Sequence, residues 1–263
     1  MNRLYTPYRT YDFRLDNHRV YILYYGTVTS TQDIAKNIAE KHALGKSYEY
    51  VIVVADSMTK GRGRMGRKWF ADKGGVWFSV AVKPSIEVKN FTLYSILAGL
   101  SVAKTVDKIC GIKPCIKWPN DILIKDKKLS GILVEASISQ NKVNRVIIGI
   151  GLNLNNKIRA ELADKAISLS EIGCNTSRDS IVLNFLEFFD YFHNIYLKDK
   201  IDIILKECKI FCCTLGKEVR VITSDKKVIY GKALSIDLDG SLIILKKNGD
   251  IYRVTYEEIY HLR

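Results

Sequence analysis

Several common signatures are missing from this 263-residue sequence, and each absence removes a class of function. The start, Met1-Asn2-Arg3-Leu4-Tyr5, lacks the apolar run of a signal peptide, and no stretch approaches the roughly 20 apolar residues of a membrane helix. The expectation is a cytoplasmic chain. Histidine occurs four times, always singly, and each reads as structural rather than as a ligand. The six cysteines, Cys110, Cys115, Cys174, Cys208, Cys212 and Cys213, make no CxxC pair and no zinc-ligand spacing. Most lie in apolar surroundings and read as buried thiols of a reducing compartment. No dedicated metal site is expected. No repeat, linker or low-complexity tract is visible.

Acidic residues are also scarce, with 28 Asp and Glu against 41 Lys and Arg, for a formal charge of +13. Such an excess suits an anionic partner, whether nucleotide, nucleic acid or acidic protein surface, although lysine also serves plain solvation. The length allows one large or two unequal domains. The apolar fraction, 47%, is enough for a sizeable core.

What the chain has is Thr59-Lys60-Gly61-Arg62-Gly63-Arg64-Met65-Gly66-Arg67-Lys68-Trp69-Phe70, three glycines and three arginines within seven residues. Glycine lets the backbone approach a ligand closely, and arginine offers a fixed fork of donors to phosphate or carboxylate. So many like charges are best tolerated around an anion. The spacing also satisfies a dinucleotide fingerprint, but that motif opens a helix, whereas here Val76–Val82 reads as a strand. A kinase loop would need Val-Ala-Ile-Lys, HRD and DFG segments, all absent. An RNA-binding Gly-Arg tract is usually longer and set in low complexity.

Along the chain, residues 1–19 carry no assignable pattern. Residues 20–25 read as a strand, and Thr29-Ser30-Thr31-Gln32-Asp33 precedes the helical spacing of Ile34, Ala35, Ile38 and Ala39. A hydroxyl there is an N-cap signal, or it presents the helix start to a ligand. Residues 51–55 and 76–82 read as partner strands around the Gly-Arg loop, and residues 91–109 as a buried helix. Pro119 biases Trp118 towards an extended backbone, so Asn120-Asp121 occupy a turn between two strands. Lys128 opens another strand at 132–135, and 146–154 is a further one with two glycines. Helices are expected at about 158–172 and 179–207. The tail, punctuated by Asp239-Gly240 and Asn248-Gly249, reads as four short strands of a small barrel, with a boundary near 214.

Four of these segments, in this order, resemble the biotin protein ligase family. They are Gly61–Trp69, Lys117-Trp118-Pro119-Asn120-Asp121, Lys128–Glu135 and Gly149-Ile150-Gly151-Leu152-Asn153, and the likeness runs from about residue 20 to Arg263. The resemblance implies an α/β fold similar to class II aminoacyl-tRNA synthetases over residues 1–213, a mixed sheet flanked by helices. It also implies a small C-terminal SH3-like β-barrel over 214–263. The family's reaction converts biotin and Mg-ATP to biotinyl-5′-adenylate, then transfers biotin to one lysine of a carboxylase's biotin carrier domain.

By this resemblance Lys128 lies between the biotin carboxylate and the α-phosphate, and Arg62 and Arg64 belong to a loop that folds over both. Ser30, Thr31, Gln32, Met58, Gly61, Gly63 and Gly131 fall on the biotin side. Arg67, Trp69, Asn120, Asp121, Asn153, Arg220 and Arg263 fall on the ATP side, with Asp121 a candidate base. ATP, Mg2+ and biotin are the implied small molecules, and the implied assembly is a monomer or homodimer. Met58 replaces the usual Gln and Gln32 the usual Asn. The 19 residues before the first strand are too few for the winged helix-turn-helix of some members, so sequence-specific DNA binding is not expected. Two alternatives stay open, a lipoate or octanoate ligase of the same fold and a basic nucleic-acid-binding module.

Overall fold

Strands buried on both faces need apolar residues at nearly every position. The unbroken apolar runs of the sequence accordingly become the middle of one large sheet. A computed structural model describes residues 5–15, 18–41, 47, 49–84, 86–87, 91–140, 142–256 and 259–262, so Arg263 lies outside the described residues. The sheet comprises β1 (Arg9–Leu15), β2 (His18–Val28), β3 (Tyr50–Met58), β4 (Val76–Val82), β5 (Ile86–Glu87), β6 (Cys115–Lys117), β7 (Asp121–Ile124), β8 (Lys127–Ser139) and β9 (Lys142–Leu152). Their order is β1-β2-β3-β4-β9-β8-β7-β6, with β5 also paired to β9. Among the described strands only the paired β2 and β3 run parallel; α1 (Thr31–Lys41) lies between them in the chain.

Helix α1 covers one face of the sheet, packing Ile34 and Ala35 on Val51, Val53, Ala81 and Ile147. The opposite face is covered by α2 (Leu93–Cys110), α3 (Arg178–Leu197) and α4 (Ile201–Phe211), which bury Tyr94, Leu97, Phe185, Phe189 and Ile204 against Ile52, Phe78 and Ile148. The result is three layers around a sheet buried on both sides. A second, antiparallel sheet holds β10 (Glu218–Thr223), β11 (Val228–Ile236), β12 (Leu242–Leu245), β13 (Ile251–Val254) and β14 (Ile259–Leu262), in the order β13-β12-β11-β10-β14.

The two sheets meet at Trp118. Its indole packs among Val219, Val221, Leu242 and Leu262 of the small sheet. Its Nε1 donates to Gly240 O at 2.9 Å, and its backbone N donates to Thr214 Oγ1 at 2.9 Å. The Asp239-Gly240 turn also rests on α2, where Thr92 Oγ1 donates to Asp239 O.

The structure departs from the sequence reading in five places, one of them the small sheet, where β14 adds a fifth strand to the four expected. Residues 9–15, left unassigned, form β1 as a hairpin with β2. Residues 158–172 are not a helix; they contain two 3₁₀ turns, Ala160–Leu162 and Ser170–Ile172. Between those turns the backbone is committed elsewhere. Lys128 N donates to Lys165 O at 2.8 Å and Ile167 N to Lys128 O at 3.1 Å, which takes Lys165 O and Ile167 N out of any helical ladder. The single helix expected at 179–207 is two, broken where Asp199 takes a φ of 57°. Finally, four cysteines read as thiols are paired, Cys110 with Cys174 and Cys115 with Cys213, at Cα separations of 5.4 and 5.6 Å that suit a disulfide. Sequence neighbours gave no hint, because the partners are 64 and 98 residues apart. Cys208 and Cys212 stay thiols, with burial raising both pKa values.

Candidate active site

The floor of the site follows from one pair of glycines. Gly131 of β8 and Gly151 of β9 stand opposite each other, and the ring of Trp69 lies on them. A Cβ on Gly151 would come within 2.5 Å of the indole, and one on Gly131 within 3.1 Å, so only glycine leaves this shelf flat. Trp77 of β4, in register with Gly151, meets Trp69 edge to face with centroids 6.2 Å apart. The cavity above encloses about 310 Å³.

The Gly-Arg segment forms an irregular hairpin over this cavity. Trp69 N donates to Gly61 O at 3.0 Å and Gly63 N to Arg67 O at 2.7 Å, and the tip is a 3₁₀ turn at Arg64–Gly66. Met65 and Gly66 both take positive φ there, which turns the chain back. Arg62 and Arg64 then point to different anchors. Arg62 binds Asp33 in bidentate fashion at 2.8 and 3.1 Å, Glu135 at 3.2 Å and Ser30 Oγ at 3.2 Å. Asp33 first, then Glu135, hold its pKa above the ordinary arginine value despite desolvation. Arg64 reaches the end of the chain, donating to O of Tyr256 in the turn after β13 at 2.5 Å and to O of Ile259 in β14 at 2.9 Å, with its guanidinium 4.2 Å from the Tyr256 ring centroid. It also donates to Asn120 Oδ1 at 3.4 Å.

One end of the cavity is buried and polar. Ser30, Thr31 and Gln32 at the start of α1 are nearly fully buried. Ser79 Oγ donates to Thr31 Oγ1 at 2.8 Å, and Thr31 in turn donates through N and Oγ1 to the Met58 sulfur at 3.4 and 3.6 Å. The thioether thus serves as a weak acceptor where an amide is usual. Ser30 Oγ is occupied by Arg62, so its hydroxyl faces the hairpin.

The other end is cationic. Lys128 Nζ lies 2.6 Å from Asp121 and 5.2 Å from the Trp69 ring centroid. Arg67, Lys68, Lys157, Arg159 and Lys165 also line the cavity, together with the carboxylates of Asp72 and Asp121. Arg159 pairs with Asp72 at 3.0 Å and stacks on Phe70. Asn153 is committed to the scaffold, donating to Ile167 O at 3.2 Å and accepting from Asn156 Nδ2 at 3.1 Å. Among the described residues no group of three or more His, Cys, Asp or Glu is placed to hold a metal.

Of the residues singled out in the sequence, Ser30, Thr31, Gln32, Met58, Arg62, Gly63, Arg64, Arg67, Trp69, Asn120, Asp121, Lys128, Gly131 and Asn153 converge on this cavity. Gly61 does not line it; it closes the hairpin base, where a Cβ would strike Trp69 O. Arg220 does not line it either, and its Nε donates to Tyr230 Oη at 3.1 Å. Sequence reasoning missed Asp33 and Glu135, the two carboxylates that hold Arg62. Their opposite charge and the helix-start position of Asp33 were the available signals.

The chain is similar to known proteins along most of its length. The profile described as Biotin/lipoate A/B protein ligase family matches residues 25–153, and that of the biotin protein ligase C terminal domain matches residues 214–261. The bifunctional ligase/repressor BirA of Bacillus subtilis is 36% identical over 234 residues, 87% of this chain and 70% of that protein. A biotin–[acetyl-CoA-carboxylase] ligase of Mycobacterium tuberculosis is 28% identical, covering 90% of this chain and 88% of its own. Among solved structures, the biotin protein ligase of Aquifex aeolicus in complex with biotin and ATP superposes with a TM-score of 0.78 at 32% identity, over 92% of this chain and 98% of that one. The chain belongs to the biotin protein ligase family.

Proposed function

We propose that this protein activates biotin with ATP and transfers it to a lysine of a biotin carrier domain. The observation that carries the reading is one cavity with two chemically distinct ends. Gln32 packs against Gly149, while Trp69 and Lys128 sit at Gly131 and Gly151, one pleat repeat along the same strand pair, about 7 Å away. A ligand with a polar head and a carboxylate tail fits that spacing, its head in the buried end and its carboxylate at Lys128.

In the first step a biotin carboxylate oxygen forms a bond to the α-phosphorus as the bond to the β-phosphate oxygen breaks, releasing pyrophosphate. Two anions meet, and negative charge grows on the phosphorus oxygens. Lys128 places a point charge there, and such fixed charges in a water-poor site contribute a few kcal/mol each. Arg62 and Arg64 hold the hairpin over the product, which keeps water from the mixed anhydride. In the second step the acceptor lysine amine attacks the acyl carbon, AMP leaves, and the amine proton is lost. Asp121 is the carboxylate at hand for that proton.

Mg2+ enters as part of the ATP complex, since Asp121 is held by Lys128 and Asp72 by Arg159 and the two form no cage. The proposed division is 1–213 for catalysis and 214–263 for the small sheet, which contributes the carbonyls that hold Arg64. The use of ATP suits the cytoplasm. The deciding experiment is mass spectrometry of a carrier domain incubated with this protein, biotin and Mg-ATP. A gain equal to one biotinyl group is expected, and an unmodified carrier domain would sink the proposal.

A further inference from the structure

We infer that Glu135 is a positioning residue for the biotin end of the cavity: it fixes the amide of Gln32 so that the amide oxygen faces the ligand. This deepens the function proposed above and rests on it. Gln32 is only 5% exposed, and its Nε2 donates to Glu135 Oε2 at 3.2 Å and to Leu133 O at 3.4 Å. Both partners are acceptors with no hydrogen to give, so reversing the planar amide would set oxygen against oxygen. The remaining atom, Oε1, is buried without a hydrogen-bond partner. It lies against Gly149, where a Cβ would meet it at 3.0 Å, and both Gln32 and Gly149 line the cavity.

A buried acceptor with no donor is costly to leave unmade. The ligand is the natural source of the missing donor, and its chemistry is then specified: a head group that offers an N–H. The ureido ring of biotin has two. A dithiolane or a plain alkyl chain has none, so the same orphan oxygen selects against lipoate and octanoate. The Glu135 carboxylate is shared, since it also accepts from Arg62 at 3.2 Å. One side chain therefore sets both the polarity of the pocket wall and an anchor of the hairpin above it.

The two roles separate in a double-mutant cycle read on adenylation, followed by pyrophosphate release at varied biotin and ATP. The proteins compared are wild type, Glu135→Ala, Gln32→Leu and the double variant. If Glu135 acts through Gln32, Glu135→Ala raises KM for biotin about tenfold, in line with an unsatisfied buried group. KM for ATP stays within about twofold, and in the Gln32→Leu background the same change adds no more than about twofold. A tenfold penalty that persists in that background, or an unchanged KM for biotin in Glu135→Ala, overturns the assignment. Wild-type protein that releases no pyrophosphate with biotin would instead overturn the functional proposal, so the two failures are told apart by the first sample.

Discussion

The two ends of the cavity are built on opposite plans. The end at Ser30, Thr31 and Gln32 is preassembled: these three and Ser79 of β4 are buried, Met58 of β3 is half-buried, and among their side chains the Gln32 Oε1 is the oxygen left unmatched. The end at Lys128 is put together from distant pieces. Lys128 and Asp121 come from an adjacent strand pair, the arginines from the hairpin, and the hold on Arg64 from the second sheet. The first plan suits recognition, where a rigid wall lowers the cost of ordering a ligand. The second suits chemistry in which charge appears and a product must be retained.

The comparison is broken most sharply at Lys128. Lys128→Ala should lower the adenylation rate by about two to three orders of magnitude, as loss of a fixed charge at a transition state does, with a small change in KM for biotin. Pyrophosphate release measured at saturating biotin checks it, and a rate near wild type would remove Lys128 from the mechanism. Next in size is Arg64→Gly. The variant should still form adenylate but leak it, labelling bystander lysines in a mixture of carrier domain and unrelated protein. Confinement of label to the carrier domain would show that Arg64 is not needed for retention.

A third change blurs the two ends. Gly151→Ala pushes a methyl into the Trp69 indole, so the ring must leave its shelf. Overpacking of this kind costs about 1–3 kcal/mol, and KM for ATP should rise roughly ten- to a hundredfold. Unchanged kinetics would mean the shelf is not used. The smallest effect sharpens the recognition end. Met58→Gln replaces a weak sulfur acceptor by an amide, which should tighten biotin binding several-fold, about 1 kcal/mol. Calorimetric titration with biotin tests it, and weaker binding would show that the Thr31 contacts to sulfur matter more than the added amide.

Much of this site was legible because its chemistry sits in short segments. The Gly-Arg run, Trp118–Asp121 and Lys128–Glu135 each carry their residues within a few positions, and turn or strand signals bracket them. What was not legible depends on partners far along the chain. The helical pattern of 158–172 yields to two backbone bonds with Lys128. One cysteine pair joins the end of α2 to the segment before α3, and the other joins β6 to the segment after α4, contacts that exist only in the folded chain. Arg64 was read as a ligand contact from its neighbours in sequence, and nothing there reveals that it reaches main-chain oxygens 192 and 195 residues away. Local rules see segments; the second sheet's part in the site is a matter of tertiary placement.

That placement has a lasting effect on how the molecule tolerates change. The hydrogen bonds of Arg64 to the second sheet end on peptide oxygens, which every amino acid supplies. Substitutions at positions 256 and 259 leave those acceptors in place, although at 256 they change the ring that the guanidinium faces at 4.2 Å. An insertion or deletion that slides the strand by one position does not leave them there, because it moves the oxygens themselves. The hydrogen-bonded part of that grip thus depends on register rather than on spelling.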